Sequence, residues 1–320
     1  MPAPSSQSGV FVGAYASSPT TQSWDPHLER AYLSRIAEIP GVRGLEVPWI
    51  TSLHAHDQSW YARQLPAGWE MVITQIGGVV HRLADDPAYG LASADPGGRA
   101  RAVADVASIR DDVARLHDAL GRQVVIAIEL HSAPASTAAH GTTAALTESL
   151  REIAAWDFGG TQILIEHCDE RQPERPTAKG FLSVAEELQA ITDAATGAGM
   201  VVNWGRSAIE LGDPDLVPEH VRAIREAGVL AGVVLSGVAD VATDYGPAWA
   251  DAHPSFAPGR AGIGADGSLL TDARAAATLA AAGPHVWCGL KIGCRPRNAP
   301  LEQRVSLIRS GVERVLAART

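Results

Sequence analysis

The chain has 320 residues, 46% of them hydrophobic and 19% charged, enough apolar mass for a sizeable core. Its net charge of −10 argues against a nucleic-acid binder, which carries a basic excess. Three scattered cysteines (Cys168, Cys288, Cys294) form neither a disulfide framework nor a zinc-type spacing, and no apolar run approaches the length of a membrane span.

Residues 1–8, "MPAPSSQS", are polar, without the basic and apolar regions of a signal peptide. They are expected to be a disordered tail, and the location to be cytoplasmic. The first strand is predicted over 9–16 ("GVFVGAYA"), before a helical pattern at 27–39. The second, 41–48 ("GVRGLEVP"), leads into a short aromatic helix within "DQSWYARQLP". The third, 70–76 ("EMVITQI"), is followed by a long loop from Gly77 to Gly98 and a helix at 101–120. The fourth, 123–131 ("QVVIAIELH"), precedes a helix at 143–156, and the fifth, 161–168 ("TQILIEHC"), one at 183–196. The sixth, 200–205 ("MVVNWG"), precedes a helix at 215–228. The seventh, 230–237 ("LAGVVLSG"), opens a second long loop to about Gly267, and Thr271 is placed to cap the helix at 272–283. The eighth, 285–293 ("HVWCGLKIG"), is followed by a closing helix at 301–318 that Pro300 starts. Eight βα units without a linker predict a single (β/α)8 TIM barrel spanning 1–320. A doubly wound open sheet is the alternative, but no Gly-x-Gly-x-x-Gly follows any strand.

Side chains on a strand alternate faces. On the fourth strand Val124, Ile126, Ile128 and Leu130 are assigned to the helix side, and Ala127, Glu129 and His131 to the interior. The same parity sends Leu164, Glu166 and Cys168 inward, and likewise Trp287, Gly289 and Lys291. Gly44 and Glu46, Val201 and Asn203, and Val234 and Ser236 follow from the second, sixth and seventh strands; the third leaves Thr74 and Gln75 open, and the first directs Tyr15 to the mouth. Glu46, Glu129, His131, Glu166, Asn203, Ser236 and Lys291 thus form one ring at the C-terminal strand ends, where barrel enzymes do their chemistry. Three glutamates that close raise at least one carboxyl pKa, and a lysine ammonium or a metal ion holds such a cluster together. The bland alternative is an ion-pair network that only braces the barrel, a task buried pairs do poorly.

Strand order and this ring resemble the xylose-isomerase-like TIM barrels, which include sugar isomerases and ketose 3-epimerases, and more narrowly an uncharacterised bacterial domain-of-unknown-function family of about this length. The ketose epimerases hold a divalent metal on inward residues of the fifth, sixth, seventh and eighth strands. Carried over by position, Glu166 matches a metal-binding glutamate. Asn203, Ser236 and Lys291 depart from the acid, histidine and glutamate that the resemblance implies. The expectation is therefore no metal, the alternative being a shifted manganese or zinc site at Glu46, Glu129, His131 and Glu166.

The leading expectation is an isomerase or epimerase moving a proton next to the carbonyl of a sugar or sugar acid. Glu166, its pKa lifted, is the base; Lys291 stabilises the enediolate; His131 or Glu129 is the partner acid. Glu46, Asn203, Ser236 and Tyr15 are expected to bind substrate. Arg206 and Arg295, with Arg297, are candidates to grip a carboxylate, phosphate or sulfonate. Trp49 and Trp204, with Trp60 and Trp249, are candidates to stack on a sugar ring, although core packing explains some of them equally well. "HAHD" (54–57) reads as surface or a substrate wall. The alternatives are a Schiff-base lyase or aldolase using Lys291, and a non-catalytic sugar-binding barrel. The partner is a small carbohydrate, neutral or anionic, with no nucleic acid and no membrane; a homo-oligomer is allowed.

Overall fold

A computed structural model describes residues 9–21, 23–135, 140–170, 177–259 and 262–319. The tail expected over 1–8 lies outside them. The strands are β1 (Val10–Val12), β2 (Val42–Pro48), β3 (Glu70–Thr74), β4 (Val125–Leu130), β5 (Gln162–His167), β6 (Gly199–Asn203), β7 (Leu230–Leu235) and β8 (Trp287–Leu290). They pair in chain order, all parallel, and β8 closes onto β1 to complete the barrel. The helices are α1 (Pro26–Ala37), α2 (Gln58–Gln64), α3 (Ile76–Asp85), α4 (Pro96–Leu120), α5 (Thr143–Ala154), α6 (Val184–Ala194), α7 (Trp204–Leu211), α8 (Val217–Glu226), α9 (Asp272–Ala282) and α10 (Leu301–Ala318). None is long and apolar enough to cross a membrane.

Helix starts follow local chemistry. Asp25 and Asp95 cap α1 and α4 through their carboxylates, each followed by a proline in the first turn. Ser183 and Glu186 form a reciprocal capping box on α6, and Thr271 caps α9 as its sequence position implies. Such caps contribute about 1 kcal/mol each. The outer strand faces (Leu45 and Val47, Ile128 and Leu130, Leu290) pack against the apolar stripes of the helices.

Inside the barrel, Phe11, Val72, Ala127, Leu164, Val201, Val234 and Trp287 form a separate apolar layer. Trp287 fits because Gly232 faces it; a Cβ there would lie 2.3 Å from the indole. This plug leaves the C-terminal end of the barrel to the polar side chains one pleat further along.

Three details differ from the alternation read in the sequence. The β3–β4 register shifts between Met71 and Val72, so Ile126 packs against the inner layer instead of the helices. Cys168, one residue past the end of β5, lies near Arg206 and Glu166 as parity implies, but it also packs in the larger hydrophobic layer. The loop expected from Gly77 contains α3: Gly78 is a close-approach residue rather than a breaker, its N–H donating to Trp49 O at 3.1 Å, and a Cβ there would lie 2.9 Å from that oxygen.

Candidate active site

Above the apolar plug, the C-terminal strand ends bring together the residues that parity aimed inward. Glu166 from β5 lies at the centre. Its Oε1 accepts from Asn203 Nδ2 at 3.0 Å and lies 3.5 Å from Lys291 Nζ; its Oε2 lies 2.9 Å from His131 Nε2 and 2.8 Å from Arg206 Nη1. Thr74 Oγ1 donates to Oε2 at 3.3 Å, which resolves the third strand in favour of Thr74; Gln75 donates instead to Tyr89. Asn203 is held in place twice, because its Oδ1 caps the first turn of α7 while its Nδ2 faces Glu166.

Lys291 sits just past the end of β8, its backbone N–H still donating to Leu235 O of β7. Its Nζ is 2.5 Å from Glu46 Oε1, and Tyr15 donates to that same oxygen at 3.1 Å. Gly13 makes room for the pair; a Cβ there would lie 3.2 Å from Lys291 Cγ and 3.3 Å from Glu46 Oε2. Glu129, also fully buried, has no hydrogen-bond partner on either oxygen among the described residues.

Charge accounts for this pattern. Glu46, Glu129 and Glu166 face the fixed cations Lys291 and Arg206, so one carboxyl is best neutral. Burial, then the charges of Glu166 and Glu46, push the Glu129 carboxyl well above the usual carboxylate range. Glu46 is raised more modestly, by burial against the attraction of Lys291. For Glu166 burial also acts upward, but Arg206, then Lys291 and His131, outweigh it and hold it well below. The lifted pKa expected of Glu166 is thus reversed, because two cations touch it directly. Burial lowers His131 to about 4, so it is a neutral imidazole, and Lys291 is held as an ammonium by Glu166 and Glu46 against the effect of burial.

Other expected site residues lie elsewhere. Trp49 is buried on the helix side and its Nε1 donates to Asp112 of α4 at 2.8 Å. Trp204 opens α7 and is wholly buried in the outer layer. Neither is available to a sugar; both lie on the helix side of their strands, where core packing takes them. Arg206 is in the cluster but buried, committed to Glu166 and to Asp251, whose Oδ2 is 3.2 Å from its Nε. Arg295 stacks over Tyr245 and donates to the carbonyls of Asp244 and Cys294, bracing the β7–α9 loop rather than a ligand. Ser236 is at the mouth as expected, its Oγ 2.7 Å from His253 Nδ1.

The sequence reading missed Asp251, His253 and Lys179, which come from long loops. Lys179 Nζ lies 3.0 Å from Asp251 Oδ2. It also missed most of a cleft of about 330 Å³ between the loops after β1 and β2, whose floor includes Tyr15 and Glu46. Trp24 and His56 stack on its wall, ring centroids 4.9 Å apart, and His54 stacks on Tyr61. Glu29 accepts from Trp24 Nε1 at 2.8 Å and lies 3.3 Å from His54 Nε2. The histidines of "HAHD" therefore form a wall; Trp24 was legible only as one more aromatic between β1 and α1.

Comparison with known proteins agrees with this architecture. A xylose isomerase domain containing protein of Salmonella typhimurium superposes with a TM-score of 0.59 at 11% identity, covering 97% of this chain and 98% of that one. An L-ribulose 3-epimerase gives 0.58 at 15%, covering 98% and 95%. The IolI protein, solved with a zinc atom, gives 0.59 at 11%, covering 96% and 98%. These likenesses show the fold, a closed (β/α)8 barrel of the kind seen in xylose-isomerase-like proteins. An uncharacterised protein of Salmonella typhimurium, STM3670, is 30% identical over 309 residues, 95% of this chain and 96% of that one. The model of one family matches residues 11–307, and the chain belongs to that family, described as Domain of unknown function (DUF4862).

Proposed function

We propose that the chain is a sugar isomerase or epimerase that moves a proton next to a carbonyl, using its own fixed cations where related barrels use a metal. The observation that carries this reading is the set of unlike carboxyls at the cleft: among the described residues Glu129 is kept neutral without a partner, Glu166 is kept ionised, and Glu46 lines the cleft with Oε2 unpartnered. Environments that push like groups apart mark acid and base roles. Glu46 takes the proton from the carbon beside the carbonyl. The C–H electrons pass into an enediolate, whose oxygen is stabilised by the Lys291 ammonium and the Glu129 carboxyl proton. Glu46 returning its proton to the neighbouring carbon, with the hydroxyl proton shifting between the two enediolate oxygens, gives the isomer. For the epimer the Glu129 carboxyl delivers its proton to the opposite face, and the protons of Glu46 and Glu129 re-equilibrate with solvent before the next turnover. Glu166 anchors Lys291 and Arg206. A neutral sugar suits the site better than a sugar acid, because Arg206 and Arg295 are committed elsewhere. The likeness to an L-ribulose 3-epimerase and a D-psicose 3-epimerase lends support at the level of fold.

A divalent ion fits poorly on these residues. An ion on Glu166 meets Arg206 Nη1 at 2.8 Å and Lys291 Nζ at 3.5 Å from the same carboxylate, and a shifted ion on Glu46, Glu129, His131 and Glu166 meets the same cations. No step of the proposed chemistry runs through a metal. The Schiff-base alternative is disfavoured because Glu166 and Glu46 hold Lys291 protonated, which removes its nucleophilic lone pair. One observation favours a sugar-binding barrel without turnover: Glu129, Glu166 and Lys291 are wholly buried.

The test is exchange of sugar C–H protons in D2O, followed by NMR over a panel of ketoses and aldoses with and without chelator. Exchange beside the carbonyl is expected, insensitive to chelator and reduced about 10²–10⁴-fold in Glu46→Gln. Saturable binding without exchange supports the binding-only barrel, and a borohydride-trapped adduct on Lys291 overturns the proton-transfer reading.

A further inference from the structure

Along β5 the side chain after Glu166 points the opposite way, into the helical layer. There His167 is wholly buried between Glu187 of α6, 2.7 Å from its Nδ1, and Glu210 of α7, 2.9 Å from its Nε2. His220 of α8 lies behind, its Nε2 3.4 Å from Glu210 Oε1 and its ring 5.7 Å from that of His167, edge to face at 80°. One ligand atom each from His167, Glu210 and His220 lie within 4.8 Å of one another, and among the described residues this is where three such atoms converge.

We propose that His167, Glu210 and His220 form a zinc site on the outer side of β5, separate from the charged cluster inside the barrel. Two imidazoles and one carboxylate, with a fourth position open, are a ligand set that suits zinc. The surroundings supply the usual outer support. Glu187 takes the second nitrogen of His167 and is itself fixed by Ser132 Oγ at 2.5 Å, the carboxylate–histidine arrangement that orients a metal-bound imidazole. Charge agrees as well. Among the described residues, the groups acting most strongly on His167 and Glu210 are Glu187, His220, the backbone N–H of Glu170 and each other, with no fixed cation among them. Two carboxylates and a divalent ion between neutral rings balance, the ion replacing the Nε2 proton of His167, which leaves to solvent. Inside the barrel, by contrast, Lys291 and Arg206 already neutralise Glu166. Side-chain exposure of 15% at His220 and 6% at Glu210 places the edge of the group near the surface.

An ion there ties β5 to α7 and α8. Although α7 carries both Glu210 and Arg206, the ion touches none of the proton-transfer groups, and its loss is read in stability rather than in exchange.

The experiment is titration of the chelator-stripped full chain with zinc alone, in competition with a chromophoric chelator, together with melting curves and the visible spectrum after cobalt substitution. One equivalent of zinc is expected, with a raised Tm and a tetrahedral cobalt spectrum. His220→Ala is expected to abolish both. Glu187→Gln, which removes no ligand, is expected to weaken binding about 10- to 100-fold. No saturable binding by the parent chain overturns the proposal. So does an equivalent that persists in His220→Ala, or one that disappears in His56→Ala, which would place the ion on the cleft wall. His220 is partly exposed, so its variant tests the site even where Glu210→Gln fails to fold.

Discussion

Lys291 and Glu46 form a buried ion pair at the barrel mouth, Nζ 2.5 Å from Oε1, with the Glu166 carboxylate 3.5 Å from the same nitrogen. Removing the lysine leaves two carboxylates facing each other without solvent. Lys291→Met is expected to destabilise the fold by about 3–5 kcal/mol in chemical denaturation. Adding Glu46→Gln to that variant is expected to restore part of the loss, since the stranded charge is what costs; equal stability of the single and double variants would falsify the coupling.

Acid sensitivity follows from His131. Its pKa is lowered to about 4 by burial, against an ordinary 6.5. Below pH 6.5 the unfolded chain takes up a proton that the folded chain refuses, so stability falls from about pH 6.5 down to about 4, by roughly 3 kcal/mol for this residue. Glu166 acts in a lower window. Its folded pKa is depressed, so its contribution is complete above the ordinary carboxylate pKa and is lost as pH falls through the folded value. Denaturation midpoints of the parent are expected to fall relative to those of His131→Gln as pH drops from about 6.5 to 4, groups of opposite sign acting equally in both proteins.

Glu129 has the opposite sign. Its raised carboxyl pKa favours the fold at low pH, and its contribution is lost as pH rises through and above the ordinary carboxylate value. Glu129→Gln is expected to raise Tm more at pH 8 than at pH 5 while abolishing proton exchange. A variant less stable at both pH values would contradict the neutral-acid assignment.

The cleft wall makes a separate claim. Trp24→Ala removes the ring stacked on His56 and is expected to raise KM about 5- to 10-fold, with kcat within twofold. Unchanged KM would move the sugar out of this cleft.

Trp49 tests the converse. Trp49→Phe keeps an aromatic ring of smaller size but removes the donor to Asp112 Oδ2, and is expected to cost about 1–3 kcal/mol of stability with KM unchanged.

The inward ring was legible because strand alternation is local: a period of two places Glu46, Glu129, Glu166, Asn203 and Lys291 on one face before any contact is known. The same rule failed at Ile126, where a register shift adds a residue; continued past Val47 and Asn203 it puts Trp49 and Trp204 on the helix side, where core packing takes them. His167 was legible in principle, as a polar residue on a face that had to be buried, and Glu187 as a glutamate within the apolar stripe of α6. The partners of these groups were not. Arg206 reaching Glu166, Asp251 returning from a distant loop to Arg206, and the cleft between the loops after β1 and β2 depend on where the barrel closure sets elements far apart in sequence. Charge state belongs to that second class. Sequence determined that three carboxyls share one pocket; only the distances from each to Lys291 and Arg206 decided that Glu166 is ionised and Glu129 neutral, because Coulomb energy in a dry interior depends on separation and not on order along the chain.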